Sequence, residues 1–181
     1  EEFYEHNDIG KIIWPCGMGK ALLSLFIVQK MGFKHVVIGV PSVYLQKQFR
    51  CEISKLYPNM DNVMYIGGTP DDITKSTTDK AQIAEFIQQH PMTYLITTYT
   101  SCYILKDLYH FDFKIGDEAH HLVGEEKDSS NYLQFHKILS KKSLFMTATE
   151  KQIEPNSKKI IYSMDDKELF GELVDQPISI C

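Results

Sequence analysis

Lys11-Ile12-Ile13-Trp14-Pro15-Cys16-Gly17-Met18-Gly19-Lys20-Ala21 reads as a strand, a tight glycine turn and the first residues of a helix. The glycines allow the backbone to curl so that successive N–H groups converge on one point, a cradle for phosphate oxygens. The helix that follows adds the partial positive charge of its N-terminus, and Lys20 is placed to reach the outer phosphates of a nucleotide. The pattern G-x-x-x-x-G-K-[ST] is met in part: Trp14 stands at its first glycine and Ala21 at its hydroxyl residue. The bland alternative is a glycine-rich βα turn with an exposed lysine. Leu22, Leu23, Leu25, Phe26 and Val28 read simply as the buried face of the helix.

The second decisive stretch is Phe111-Asp112-Phe113-Lys114-Ile115-Gly116, a β-prone run that ends in Asp117-Glu118-Ala119-His120-His121. In parallel α/β sheets ligands bind beyond the carboxyl ends of strands, and carboxylates there can hold a cation and polarise water. Taken alone, the pair is also an ordinary solvated turn. Neither an H-x₃₋₅-H pair nor an H-E-x-x-H spacing occurs among the 7 histidines, so a zinc site is not expected.

Between and beyond these stretches strand and helix alternate. Strands are predicted at Lys11–Trp14, His35–Val40, Asn62–Ile66, Thr93–Thr98, Phe113–Gly116, Leu144–Thr147 and Lys159–Tyr162. Helices are predicted from Gly19 to Lys30, Ser42 to Leu56, Asp79 to Gln89, Tyr99 to Leu108 and Asn131 to Leu139. Such alternation implies parallel βαβ units with right-handed crossovers. Residues 67–78 and the tail after Gly171 are expected to be flexible. Length and a 43% apolar, 24% charged composition fit one globular domain. The start of the sequence has no signal-peptide pattern, no apolar run is long enough for a membrane span, and the 4 scattered cysteines read as reduced thiols. An intracellular protein without membrane partners is expected. The net charge of −5 argues against a polybasic nucleic-acid binder, but backbone N–H groups and hydroxyls can grip phosphates without net positive charge.

In their order, these stretches resemble the first RecA-like motor domain of superfamily 2 helicases and translocases. Pro15-Cys16-Gly17-Met18-Gly19-Lys20 is similar to motif I, DEAHH to motif II, and Met146-Thr147-Ala148-Thr149 to motif III. Gly39-Val40-Pro41-Ser42-Val43-Tyr44-Leu45-Gln46-Lys47-Gln48-Phe49 looks like motif Ia, the strand-to-helix turn that usually reads P-x-x-x-L-x-x-Q, and Thr97-Thr98-Tyr99-Thr100-Ser101 like motif Ib. The DEAHH form looks closer to DNA translocases of the restriction and repair type than to RNA helicases.

The resemblance implies a three-layer RecA-like α/β domain over residues 1–181, with a mainly parallel sheet and a second RecA-like domain outside this sequence. It implies ATP held by Pro15, Cys16, Gly17, Met18, Gly19, Lys20 and Ala21. Asp117 and Glu118 would hold Mg²⁺, and Glu118 would activate the attacking water, with Lys20 and Asp117 as its catalytic partners. Nucleic acid, DNA rather than RNA, would lie against Pro41, Ser42, Gln46, Thr98, Tyr99 and Thr100. His120, through a hydrogen bond to Thr147 or Thr149, would couple the nucleotide state to the strand. Phe3 or Tyr4 is the available base-stacking residue. Without a second domain to supply an arginine finger, the isolated domain is expected to turn over little ATP. Ala21 departs from the family's usual Thr and removes one Mg²⁺ ligand. Two rival readings stay open: a degenerate RecA-like binding module, and a P-loop kinase or NTPase of another class.

Overall fold

A computed structural model describes residues 2–58, 61–72, 74–125, 131–154 and 160–174. Its centre is a sheet built from β1 (Ile9–Ile13), β2 (His35–Val40), β3 (Val63–Ile66), β4 (Lys75–Thr77), β5 (Thr93–Thr98), β6 (Phe111–Asp117), β8 (Ser140–Thr147) and β10 (Glu172–Leu173). Their order is β10-β1-β8-β6-β2-β5-β3-β4, and every pairing is parallel. Two short strands, β7 (Gly124–Glu125) and β9 (Ile161–Tyr162), pair antiparallel outside it.

A parallel sheet is dry on both faces, and the alternation along each strand supplies two cores. Val36, Ile38 and Val40 of β2 join Leu25 and Val28 of α2 (Lys20–Met31) and Phe49 and Ile53 of α3 (Val43–Leu56). Val37 faces the other way, toward Ile83 and Ile87 of α4 (Lys80–Gln89) and Phe135 of a 3₁₀ turn at Tyr132–Lys137. The helices begin where the chain offers acceptors: Ser42 Oγ accepts from Leu45 N, and Asp79 accepts from Ala81 N. At the opposite rim from the glycine turn, α1 (Glu2–His6) buries Tyr4, whose hydroxyl donates to Ser143 O at 2.9 Å. Tyr4 therefore belongs to the core, and Phe3 packs beside it. Both thus lie at the rim opposite the glycine turn, away from where the sequence expectation would place a stacked base.

Lysines that satisfy backbone carbonyls complete the packing, one buried and one partly exposed. Lys114 on β6 donates to the carbonyls of His136 at 3.1 Å and Ile138 at 2.9 Å, closing the end of the 3₁₀ turn. Burial pulls its ammonium down to about 8. Lys142 likewise donates to Tyr4 O and Asn7 O at the end of α1.

Three expectations are corrected. The segment after β5 forms only a 3₁₀ turn at Cys102–Leu105 rather than a helix, and it closes at Asp107 with φ 59°. The expected helix over Asn131–Leu139 is the 3₁₀ turn at Tyr132–Lys137. In both, Ile104, Leu105, Leu133 and Phe135 are buried over too short a span for helical turns to be worth forming. The polar loop contributes an edge strand, because Thr77 O accepts from Gly67 N beside β3. Part of the Lys159–Tyr162 expectation falls outside the described residues. No helix among the described residues is long and apolar enough to cross a membrane.

Gly39 of β2 and Gly116 of β6 are register partners, and Phe135 covers both. A Cβ on Gly39 would also lie 2.6 Å from Tyr99 Cε1. Gly39→Ala is expected to destabilise the domain by about 1–3 kcal/mol through overpacking. Urea unfolding checks this; an unchanged midpoint would show that the rings have room to retreat.

Candidate active site

The glycine turn leaves β1 at Trp14, whose N–H donates to Thr147 O at 3.1 Å, tying the loop to the end of β8. Gly17 and Gly19 have φ of 81° and 76°, and a Cβ on either would meet nothing within 4 Å. These glycines serve backbone conformation rather than close packing. Lys20 is buried at the first turn of α2, and its ammonium donates to Trp14 O at 2.9 Å and Pro15 O at 3.2 Å. The loop thus closes on its own lysine. Pro15, Cys16, Met18 and both glycines lie in the exposed part of the turn, while Ala21 is half-buried and offers no side-chain oxygen.

Asp117 ends β6, and Glu118 begins the next 3₁₀ turn (Ala119–Leu122) with φ 50° and ψ 49°. That left-handed conformation is costly for a glutamate and persists only where neighbours impose it. Burial, with the Glu118 charge second, pushes the Asp117 carboxyl up to about 6, and Lys20 acts in the opposite direction. His120 Nδ1 lies 2.9 Å from Thr147 Oγ1 and 3.4 Å from Glu118 Oε2. The Thr147 hydroxyl commits its proton to Thr149 O at 3.1 Å, so it accepts from His120, which fixes the Nδ1–H tautomer. This is the contact expected between the DEAHH stretch and the strand that ends in Thr147. His121 is exposed, stacked 4.3 Å from the His120 ring.

These pieces meet in one cavity of about 440 Å³, lined by Cys16, Gly17, Gly19, Lys20 and Ala21, by Asp117 and Glu118, and by Leu22, Leu45, Gln48 and Glu52 of α2 and α3. Sequence reasoning missed these last four. Leu45 and Gln48 belong to the stretch that looks like motif Ia but were not assigned to the nucleotide site, Leu22 and Glu52 carry no motif, and the packing of α3 against α2 brings them there. A hollow of about 510 Å³ at the opposite end of the sheet, lined by Tyr57, Asp61 and His90 among others, contains none of Asp117, Glu118 and Lys20 and is not the site.

The presumed strand-binding rim is partly corrected. The ends of β2 and β5 are adjacent, with Val40 opposite Thr98. Ser42 and Thr100 are exposed and Pro41 is half-buried, as a phosphate contact requires. Gln46, however, is fully buried, donating to Ile96 O at 2.9 Å and Gly67 O at 3.2 Å across β5 and the turn after β3. Thr98 is buried with its hydroxyl 2.8 Å from that of Thr100. Tyr99 is fully buried, and its hydroxyl donates to Asp117 O at 2.5 Å. None of these three side chains presents itself to a strand, because each is claimed by inward hydrogen bonds or packing in the core.

Comparisons with known proteins identify the family and a shared fold. The family described as type III restriction enzyme, res subunit, matches residues 1–152. A probable helicase of African swine fever virus is 30% identical over 171 residues, covering 86% of this chain and 18% of the viral protein. The chain thus spans less than a fifth of the length of these curated relatives. Among solved structures, the type ISP restriction-modification enzyme LlaGI, a nuclease-deletion mutant in complex with a DNA substrate mimic, matches with a TM-score of 0.78 at 24% identity, covering 99% of this chain and 18% of that one. The Pyrococcus furiosus Hef helicase domain matches at 0.62 and 16% identity, covering 96% and 36%. The Sulfolobus solfataricus SWI2/SNF2 ATPase core, in complex with dsDNA, matches at 0.56 and 17% identity, covering 82% and 29%. At these identities the structures establish a shared fold.

The Asp117 carboxyl titrates higher in the fold than the ~4 of an unfolded aspartate, so it supports folding below about pH 4 and loses that support as pH rises through about 6. Asp117→Asn is therefore expected to melt a few degrees above the parent at pH 7.5 without ligand, on the scale of about 2–4 °C per kcal/mol. The gap should close toward pH 4. A gap independent of pH would show that burial does not strain this carboxylate.

Proposed function

The chain belongs to the family of the type III restriction enzyme res subunit, with the first RecA-like domain of superfamily 2 helicases as its fold, and from that premise we propose that it binds ATP with Mg²⁺ and couples ATP hydrolysis to movement along DNA or its unwinding. One observation carries this reading: the glycine turn and Lys20 share a single cavity with Asp117 and Glu118.

In this reading Lys20 exchanges the carbonyls of Trp14 and Pro15 for phosphate oxygens. The N–H groups from Gly17 to Ala21 hold the remaining phosphate charge. The donor set suits a divalent cation, since a buried carboxylate beside a second carboxylate is short of positive charge. Asp117 would hold Mg²⁺, which supplies charge neutralisation at the phosphates. Glu118, anchored through His120 to Thr147, orients the attacking water and accepts its proton. Because Ala21 brings no oxygen, the cation is held by one ligand fewer than in relatives with Thr there. The arginine finger would come from a second RecA-like domain in the longer protein. Pro41, Ser42 and Thr100 supply the strand contact, and the DNA complexes of the LlaGI and SWI2/SNF2 structures favour DNA as its partner.

Ala21 also favours one rival, a domain that binds nucleotide but has lost turnover. A kinase of another class leaves the His120–Thr147 contact without a purpose. Trp14 is the one tryptophan of the chain and its carbonyl is a partner of Lys20, so its fluorescence reports nucleotide entry. Titration with Mg²⁺ and ATP or ADP should give saturable quenching or enhancement, weakened about tenfold or more in Lys20→Ala, a loss of about 1.4 kcal/mol or more. No response in either protein would overturn the nucleotide site.

Ala21→Thr is expected to tighten Mg²⁺-dependent nucleotide binding severalfold and, in the full-length protein, to raise turnover. If the substitution changes neither, the binding-module reading is the better one.

A further inference from the structure

Tyr99 sits between Thr98 and Thr100, at the rim assigned to the strand, yet its ring is fully buried and runs inward across the sheet. β2 lies between β5 and β6, and the ring crosses it over Gly39, the position where a Cβ would collide with Tyr99. It packs 5.2 Å from the Phe135 ring and 5.7 Å from that of Tyr132. Its hydroxyl then reaches the carbonyl of Asp117.

That carbonyl belongs to the peptide plane joining Asp117 to Glu118. Rotation of this plane changes ψ of Asp117 and φ of Glu118 together, and the latter stands at the unfavourable value of 50°. A donor fixed in the core and bonded to the plane is therefore one of the constraints that hold Glu118 left-handed and aim its carboxylate. The hydroxyl of Tyr99 makes no contact with the cavity lining other than this bond to Asp117 among those described.

We propose that Tyr99 is a positioning residue that transmits strand contact at the adjacent, exposed Thr100 to the orientation of Glu118, through its hydrogen bond to the Asp117 carbonyl. The proposal rests on the ATP-driven reading above. A strand seated on Thr100 would shift or stiffen the backbone that carries Tyr99. The shift reaches the 117–118 peptide through one rigid ring and one short hydrogen bond, with no movement of the cation-binding carboxylate itself. Coupling of this kind is reciprocal for binding: nucleotide that orders Glu118 should in turn tighten the strand.

The test is Tyr99→Phe in the full-length protein, which keeps the ring and its packing and removes only the bond. Hydrolysis stimulated by single-stranded DNA should fall about tenfold in kcat, the size of one lost positioning contact near 1.4 kcal/mol. KM for ATP and the Kd for DNA should stay within about twofold, and the tightening of DNA binding by Mg²⁺ and a non-hydrolysable ATP analogue should shrink toward none. A merely structural role would lower the melting temperature while leaving the stimulation ratio intact, and that result overturns the proposal. So does a loss of DNA affinity alone, which would return Tyr99 to the interface. Hydrogen exchange on the wild type provides a check that needs no variant. DNA added without nucleotide should slow exchange at the amides of 118–121, and unchanged rates overturn the relay. If the wild type binds nucleotide but shows no DNA stimulation at all, the motor reading itself has failed, a result distinct from a stimulated wild type matched by Tyr99→Phe.

Discussion

Because the eight-stranded sheet is parallel throughout, all its strands end on one rim, and both its faces have to be kept dry. Everything at the site follows from that pairing of demands. β1, β6 and β8 bring Trp14, Asp117 and Thr147 to the same level, and register holds them there: Ile13 opposite Thr147, and Asp117 opposite Met146. The helices that dry one face, α2 and α3, are the ones whose residues wall the cavity. Removing the cover from either face would disperse the residues on the rim.

The rim is also where the fold accepts electrostatic cost. Two carboxylates stand side by side at the end of β6, one of them displaced upward by burial. The cation nearest to hand, Lys20, is occupied with backbone carbonyls of its own loop. Elsewhere the buried Lys114 and the partly exposed Lys142 likewise close the carbonyls of a short turn or helix, while the buried Lys11 pairs with Glu150. At the site two carboxylates stand together in a partly buried setting, the kind of environment in which perturbed groups mark functional sites.

Much of this could be read from residue order. The strand–glycine–lysine turn, the carboxylate pair after a β-prone run and the Thr-Ala-Thr end of β8 each have a local chemical signature, and local signatures survive without coordinates. The parallel sheet followed from strict alternation of strand and helix. What could not be read depends on packing between distant segments. Gln46 and Tyr99 both sit beside exposed polar residues and both turn inward, Gln46 to the carbonyls of β5 and the turn after β3, Tyr99 to β6. Glu52 and Gln48 line the cavity only because α3 leans on α2. The 3₁₀ turns were mistaken for helices since apolar spacing over six residues serves either period.

The sheet's two margins differ from its centre in one respect. β10 has two residues and β4 has three, and they carry Glu172 and Lys75 at the surface. A neighbouring molecule that tried to extend the sheet would find only a few unpaired backbone groups beside a fixed charge, too little to repay the ordering of its own strand. Among the described residues the sheet thus offers little free edge to a strand of another molecule.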